Sequence, residues 1–216
     1  MATSGDESIR PIAALRLALR TAQARAQWSE VVRLVRQLVK VKSLKPEQAE
    51  LLKRQAHQEG LRQRHGDAAA LNAYWQDVPR DEQRDARVVA TLARALIAAG
   101  DGVAAQQAIE KQLDVEWDSV LAGLYGRCEG GEVRSRLVRA EGWLKDHPRD
   151  PQLLLTLGRL CVQSQLWGKA ESYLDAALAI EPGWEAHVEL AQLAERVGRT
   201  DDANRHYRAA AELSRR

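Results

Sequence analysis

The side chains of this sequence that could do chemistry are few: five histidines at 57, 65, 147, 187 and 206, two cysteines, and arginines spread along the chain. Two histidines on one helix chelate a metal when they sit about four residues apart, and no pair here does. Cys128 and Cys161 match no zinc spacing and are too few for a disulfide framework. Each lies in an apolar-periodic segment, which predicts small buried core residues and a reducing compartment. Glycine-rich phosphate loops, dinucleotide fingerprints, HExxH and GxSxG motifs are all absent from the sequence. No catalytic residue and no metal ligand is therefore assigned, and an enzyme is the least expected class. No cofactor is expected either, haem being the one alternative that a lone histidine or cysteine would serve.

The elements that must position these residues are helices. Ala, Leu, Arg, Glu and Gln dominate, Phe is absent and Pro numbers only 6, a composition that loses little on entering a helix. From Pro151, residues Leu154, Leu157, Gly158, Ala170, Leu174, Ala177 and Pro182 occupy positions 4, 7, 8, 20, 24, 27 and 32 of a unit. From Trp184, Leu190, Ala191, Ala194, Gly198, Ala203, Tyr207 and Ala210 repeat the pattern 33 residues on. A weaker unit from Ala86 carries Leu92, Ala93, Leu96, Gly100, Ala105 and Ile109 at the same places. Small residues at positions 8 and 20 let two helices approach, and a proline at 32 ends the second. These are the positions of the tetratricopeptide (TPR) repeat, a helix pair of about 34 residues.

The fold class expected is all-α, an α-solenoid of antiparallel helix pairs wound as a right-handed superhelix. Residues 81–216 form the repeats, at about 86–116, 117–150 (degenerate), 151–183 and 184–216. Residues 1–80 are less repetitive: helices over 12–27, 28–41 and 46–65, then a short one carrying Leu71 and Trp75, packed on or capping the stack. Thr200, Asp201 and Asp202 offer caps for the last helix. Six tryptophans fall near helix ends or repeat joints, where a large ring seals the junction.

Binding in such a stack is expected on the concave wall built by the first helix of each pair, at unit positions 2, 5, 9, 12 and 13. That assigns partner contacts to Arg87, Arg94 and Ile97, then to Gln152, Leu155, Arg159 and Gln163, then to Val188, Gln192 and Arg196. Arginine, glutamine and small aliphatics suit a protein or peptide surface, since a guanidinium grips carboxylates bidentately. The balance of 32 basic and 30 acidic residues, interleaved along helices, gives no concentrated face for nucleic acid. No run approaches the ~20 apolar residues of a membrane span, and no secretory leader is present.

Beyond generic repeat positions, Ala140-Glu141-Gly142-Trp143-Leu144-Lys145-Asp146-His147-Pro148 and Asp150 through Cys161 resemble the HemY family. Leu166-Trp167-Gly168-Lys169-Ala170-Glu171, Trp117-Asp118, Leu124-Tyr125-Gly126 and Trp75 with Val78-Pro79 are similar to the same family, over roughly residues 30–212. The resemblance implies the cytoplasmic TPR portion of a proteobacterial inner-membrane protein, whose two N-terminal membrane helices this sequence lacks. It also implies a scaffold for late haem-biosynthesis enzymes or their porphyrin intermediates, with those enzymes as partners. A haem or porphyrin carrier and a general peptide-binding TPR adaptor are the alternatives. The family has no catalytic residues to carry over. The flavin-dependent protoporphyrinogen oxidase that shares the label would need a dinucleotide fingerprint, which is absent.

Overall fold

The computed structural model describes residues 6–215, with side chains from residue 11 onward. Among them are twelve α-helices, one 3-10 turn and no strand. Cα packing divides the chain into two compact units, Met1–Ala99 and Gly100–Arg216. That division follows packing density, whereas the expected boundary at residue 80 followed the repeat period.

The first unit holds α1 (Asp6–Ala24), α2 (Trp28–Lys40), α3 (Pro46–Arg62), α4 (Ala68–Asp77), the 3-10 turn Glu82–Arg84 and α5 (Ala86–Ala98). Helix α1 begins well before the expected residue 12 and carries Pro11 inside it. So close to a helix start, a missing N–H forfeits a single i→i−4 bond, and the helix tolerates it. Its Ala22 packs with Val31, Val32, Leu34 and Val35 of α2 and Ala49 and Ala56 of α3. Helix α5 lies against α3 and α4, burying Val88, Val89, Leu92, Ala93 and Leu96.

The second unit holds α6 (Gly102–Leu113), α7 (Ser119–Tyr125), α8 (Val133–Leu144), α9 (Pro151–Gln163), α10 (Trp167–Ile180), α11 (Trp184–Arg196) and α12 (Thr200–Leu213). The dominant packings are α9 on α10 and α11 on α12, with α7, α8 and α11 also against α9. Gly158 is as small as its position demands: a Cβ there would lie 2.5 Å from Leu174 Cδ2 and 2.6 Å from its Cγ.

Helix starts are fixed by aspartates. The carboxylates of Asp67, Asp85, Asp101, Asp118 and Asp150 accept from backbone N–H groups at the heads of α4, α5, α6, α7 and α9, satisfying donors the helix cannot. The cap expected at 200–202 does not form. Arg199 is the N-cap of α12, and Asp201 and Asp202 lie in its first turn, where they favour the positive helix end. The turn inside each pair repeats one backbone conformation. Gly100, Gln165 and Gly198, all at unit position 15, have φ of +81°, +58° and +78°. The α1–α2 turn uses it too, at Ala26 (φ 53°): Gln27 N–H donates to Ala22 O as Leu166 N–H donates to Cys161 O and Arg199 N–H to Ala194 O. The first helix pair thus shares the turn of the later repeats although its sequence lacks their signature residues.

Candidate functional site

The faces proposed to bind partners are built by α5 in the first unit and by α9 and α11 in the second. On α5, Arg87 and Arg94 are exposed and Ile97 is half-buried. On α11, Gln192 and Arg196 are exposed and Val188 is half-buried. These six keep surface that a partner could cover.

Helix α9 is different. Leu155 is buried at 3 % exposure, because α9 is packed by α7, α8, α10 and α11 at once. Arg159 keeps 11 % of its side chain exposed and is drawn sideways to α11: its Nε donates to Glu189 Oε1 at 2.6 Å, and Nη2 lies 3.7 Å from Glu185 Oε2. Arg127 pairs with the same Glu185. Gln163 is exposed but accepts from Arg136 Nη2 at 3.0 Å, and Gln152 is half-buried, its Oε1 against Gly123. The α9 residues therefore knit neighbouring repeats together before they offer anything to a partner. Their periodicity alone did not reveal this, since the acids that engage Arg159 come from the next repeat.

Two polar clusters had no signal in residue spacing. In the first unit, Glu82 on the 3-10 turn is the hub of contacts from two helices. Arg36 of α2 donates Nε to Oε1 at 3.0 Å and Nη2 to Oε2 at 2.5 Å. Lys53 Nζ of α3 lies 3.1 Å from Oε1, and His57 Nε2 lies 2.8 Å from Oε2. Burial alone would raise the Glu82 carboxyl, but hydrogen bonds from His57, Arg36 and Lys53 outweigh it and hold it well below the usual carboxylate range. On its other side, His57 Nδ1 lies 2.9 Å from the Tyr74 hydroxyl. Burial pushes this hydroxyl up to about 12.

In the second unit, Arg136 is buried at 2 % exposure and donates to Cys128 O as well as to Gln163. Trp117 and Trp143 meet edge to face at 6.0 Å, His147 stacks on Trp117 at 3.8 Å, and Trp117 Nε1 donates to Asp150 Oδ2 at 3.0 Å. These ring contacts lie within the pair 117–150 and not between pairs as expected, and Trp184 stays 48 % exposed.

Four of the five histidines are thus engaged by neighbours: His57 by Tyr74 and Glu82, His147 by Trp117, and His187 by His206, their Nδ1 atoms 3.0 Å apart. Burial, and then the second imidazole, lower His187 from its ordinary value. Both cysteines are buried, and burial pushes their thiols up to about 12 at Cys128 and about 11 at Cys161; neither is a ready thiolate ligand. Among the described residues no group of three or more His, Cys, Asp or Glu converges as a metal site, and no helix is long and apolar enough to cross a membrane.

No protein-family model matches the chain, and no curated protein is similar to it in sequence. Solved structures are similar in fold. The crystal structure of TTC0263, a thermophilic TPR protein in Thermus thermophilus, superposes with a TM-score of 0.56 at 19 % identity, covering 86 % of this chain and 90 % of that one. The crystal structure of MamA does so with a TM-score of 0.50 at 16 % identity, over 73 % of this chain and 94 % of that one. The MamA RS-1 double mutant gives 0.50 at 20 % identity, over 77 % and 94 %. The narrower resemblance to the HemY family finds no support among these matches. Identities this low speak for architecture alone, and the architecture they establish for this chain is the helical repeat of the TPR proteins.

Proposed function

We propose that this chain is a non-catalytic scaffold that binds partner proteins along the first helices of its repeats. One observation carries the reading. Arg87, Arg94, Gln192 and Arg196 stand exposed on α5 and α11, Arg94 and Gln192 at the same unit position 9, and their side chains form no hydrogen bond or ion pair, while the apolar faces of those helices are buried. Unpaired guanidinium and amide groups break no internal bond on gripping a carboxylate or backbone carbonyl, and charge-assisted bidentate bonds offset the roughly 0.5–1.5 kcal/mol lost in immobilising each side chain. The finer reading, from the HemY resemblance, is that the partners are late haem-biosynthesis enzymes, gathered on the cytoplasmic side of a bacterial inner membrane.

The test is affinity capture from a membrane extract with the wild-type chain and with an R87E/R94E/R196E variant, followed by titration of each identified partner. The scaffold reading expects partner affinity to drop at least about tenfold on charge reversal, with R134E and R208E on other helices leaving it unchanged. Undiminished affinity in the triple variant would remove these faces from the reading. Capture without any haem-biosynthetic enzyme would remove the pathway assignment and leave the general adaptor.

A further inference from the structure

Beside the Glu82 hub, helices α2, α3 and α4 line a cavity of about 410 Å³ that opens to solvent. This lies in the range of small-molecule sites, roughly 300–1,000 Å³. Its walls are of two kinds. Val32, Ala70, Ala73 and Val78 supply apolar surface, while Arg36, Arg64 and Tyr74 supply polar groups.

The polar wall is held in place before any ligand arrives. Arg36 is fixed through two hydrogen bonds to Glu82, which leave its Nη1 donors unused. The Arg64 guanidinium lies 4.3 Å over the Tyr74 ring and donates Nη1 to Gly60 O at 2.5 Å, leaving Nε and Nη2. Tyr74 itself is locked by its bond to His57. It reaches His57 only because residue 60 is glycine: a Cβ there would sit 2.8 Å from the Tyr74 hydroxyl. The Tyr74 hydroxyl is engaged by His57, and the two guanidiniums supply the unused donors. Asp77 is the one carboxylate of the lining and is exposed.

We propose that this cavity binds a small organic anion, its apolar body against Val32, Ala73 and Val78 and its carboxylate or sulfonate between Arg36 and Arg64. The proposal is independent of the repeat faces, since none of Arg87, Arg94, Gln192 and Arg196 lines the cavity. Two fixed guanidiniums beside an apolar wall favour an anion with a hydrophobic body over a hydrated inorganic ion, which would leave that wall uncovered.

The experiment uses the full chain and the fluorescent anion 8-anilinonaphthalene-1-sulfonate, read against its uncharged relative N-phenyl-1-naphthylamine. The expected result is a single saturable site for the sulfonate, with the neutral dye bound at least about tenfold more weakly. Arg64→Gln, which leaves the Glu82 hub intact, should weaken the sulfonate by a similar factor. Ala73→Trp should abolish binding by filling the cavity, and Arg20→Gln on α1 should change nothing. Circular dichroism establishes that each variant is folded; should Ala73→Trp not be, Arg64→Gln decides alone. Equal binding of the two dyes, or sulfonate affinity unchanged by Arg64→Gln, overturns the proposal. Displacement of the dye by benzoate supports it, while displacement by an acidic peptide and not by benzoate overturns the small-molecule assignment in favour of a partner's side chain.

Discussion

At the scale of single residues, the repeated turn at unit position 15 exposes one local conflict. Gly100 and Gly198 adopt left-handed backbone freely, but Gln165 holds φ at +58° with a Cβ present, a conformation that costs an L-residue about 1–2 kcal/mol. Gln165 is exposed and its side chain engages no neighbour, so little is lost by removing it. Gln165→Gly is expected to stabilise the chain by about 0.5–1 kcal/mol after the extra unfolded-state entropy of glycine is offset. Thermal denaturation should show a rise of about 1–4 °C. A fall would mean that the side chain at 165 supports the turn. The two thiols make a second prediction at this scale. Buried and with raised pKa, Cys128 and Cys161 should react with a thiol reagent at about pH 8 only on the timescale of unfolding. Fast labelling of either in the native protein would contradict the core assignment.

Between elements, the Glu82 hub decides how the 3-10 turn is fastened to α2 and α3. Removing one partner of a buried ion pair typically costs about 3–5 kcal/mol, because the others are left charged and unpaired. Arg36 is 43 % exposed and can rehydrate, so Glu82→Gln is expected at the lower end, about 3 kcal/mol in urea unfolding. The sign of the pH dependence follows from the lowered folded-state pKa. The stabilisation is complete above the ordinary value of 4.5 and is lost as pH falls from there towards the folded value. Urea midpoints from about pH 7 down to about 3 should therefore decline more steeply for the wild type than for Glu82→Gln; parallel declines would show that the hub carries no linked proton. Where α9 meets α10, Gly158→Ala gains helix propensity worth roughly 1 kcal/mol but drives a methyl into Leu174, which is fully buried. Overpacking of this kind costs about 1–3 kcal/mol, so the net outcome expected is a lowered melting temperature.

Taken as a whole molecule, a chain of repeats draws stability from each unit and from each interface with the next. The interface between α9 and α11 includes an ionic share: Arg159 reaches Glu185 and Glu189, and Arg127 joins at Glu185. Deleting residues 181–216 would strip α11 from α9 and α10 and leave Arg159, whose Nη1 is already buried without a partner, with no anion. Hydrogen exchange in α9 and α10 of the shortened chain is expected to accelerate by at least about a hundredfold, the effect of losing roughly 3 kcal/mol. Unchanged protection there would show that the pair 151–180 stands on its own.

The sequence by itself determined the helical class, the register of the repeats and the small residues at their crossings. Apolar spacing at the helical period, glycine at tight crossings and proline after the second helix act through neighbours a few residues away. For the same reason it placed Arg87, Arg94, Gln192 and Arg196 on a face that keeps them exposed. The shared turn at Ala26 was not legible, because a non-glycine residue in left-handed backbone leaves no mark in composition. Nor were the fates of Leu155 and Arg159, the Glu82 hub and the pairing of His187 with His206. Those depend on side chains 17 to 46 residues apart for the first unit's hub and 19 apart for the histidines. Only the packed helices bring such residues together, and only that packing decides which charges are consumed by the fold and which are left exposed.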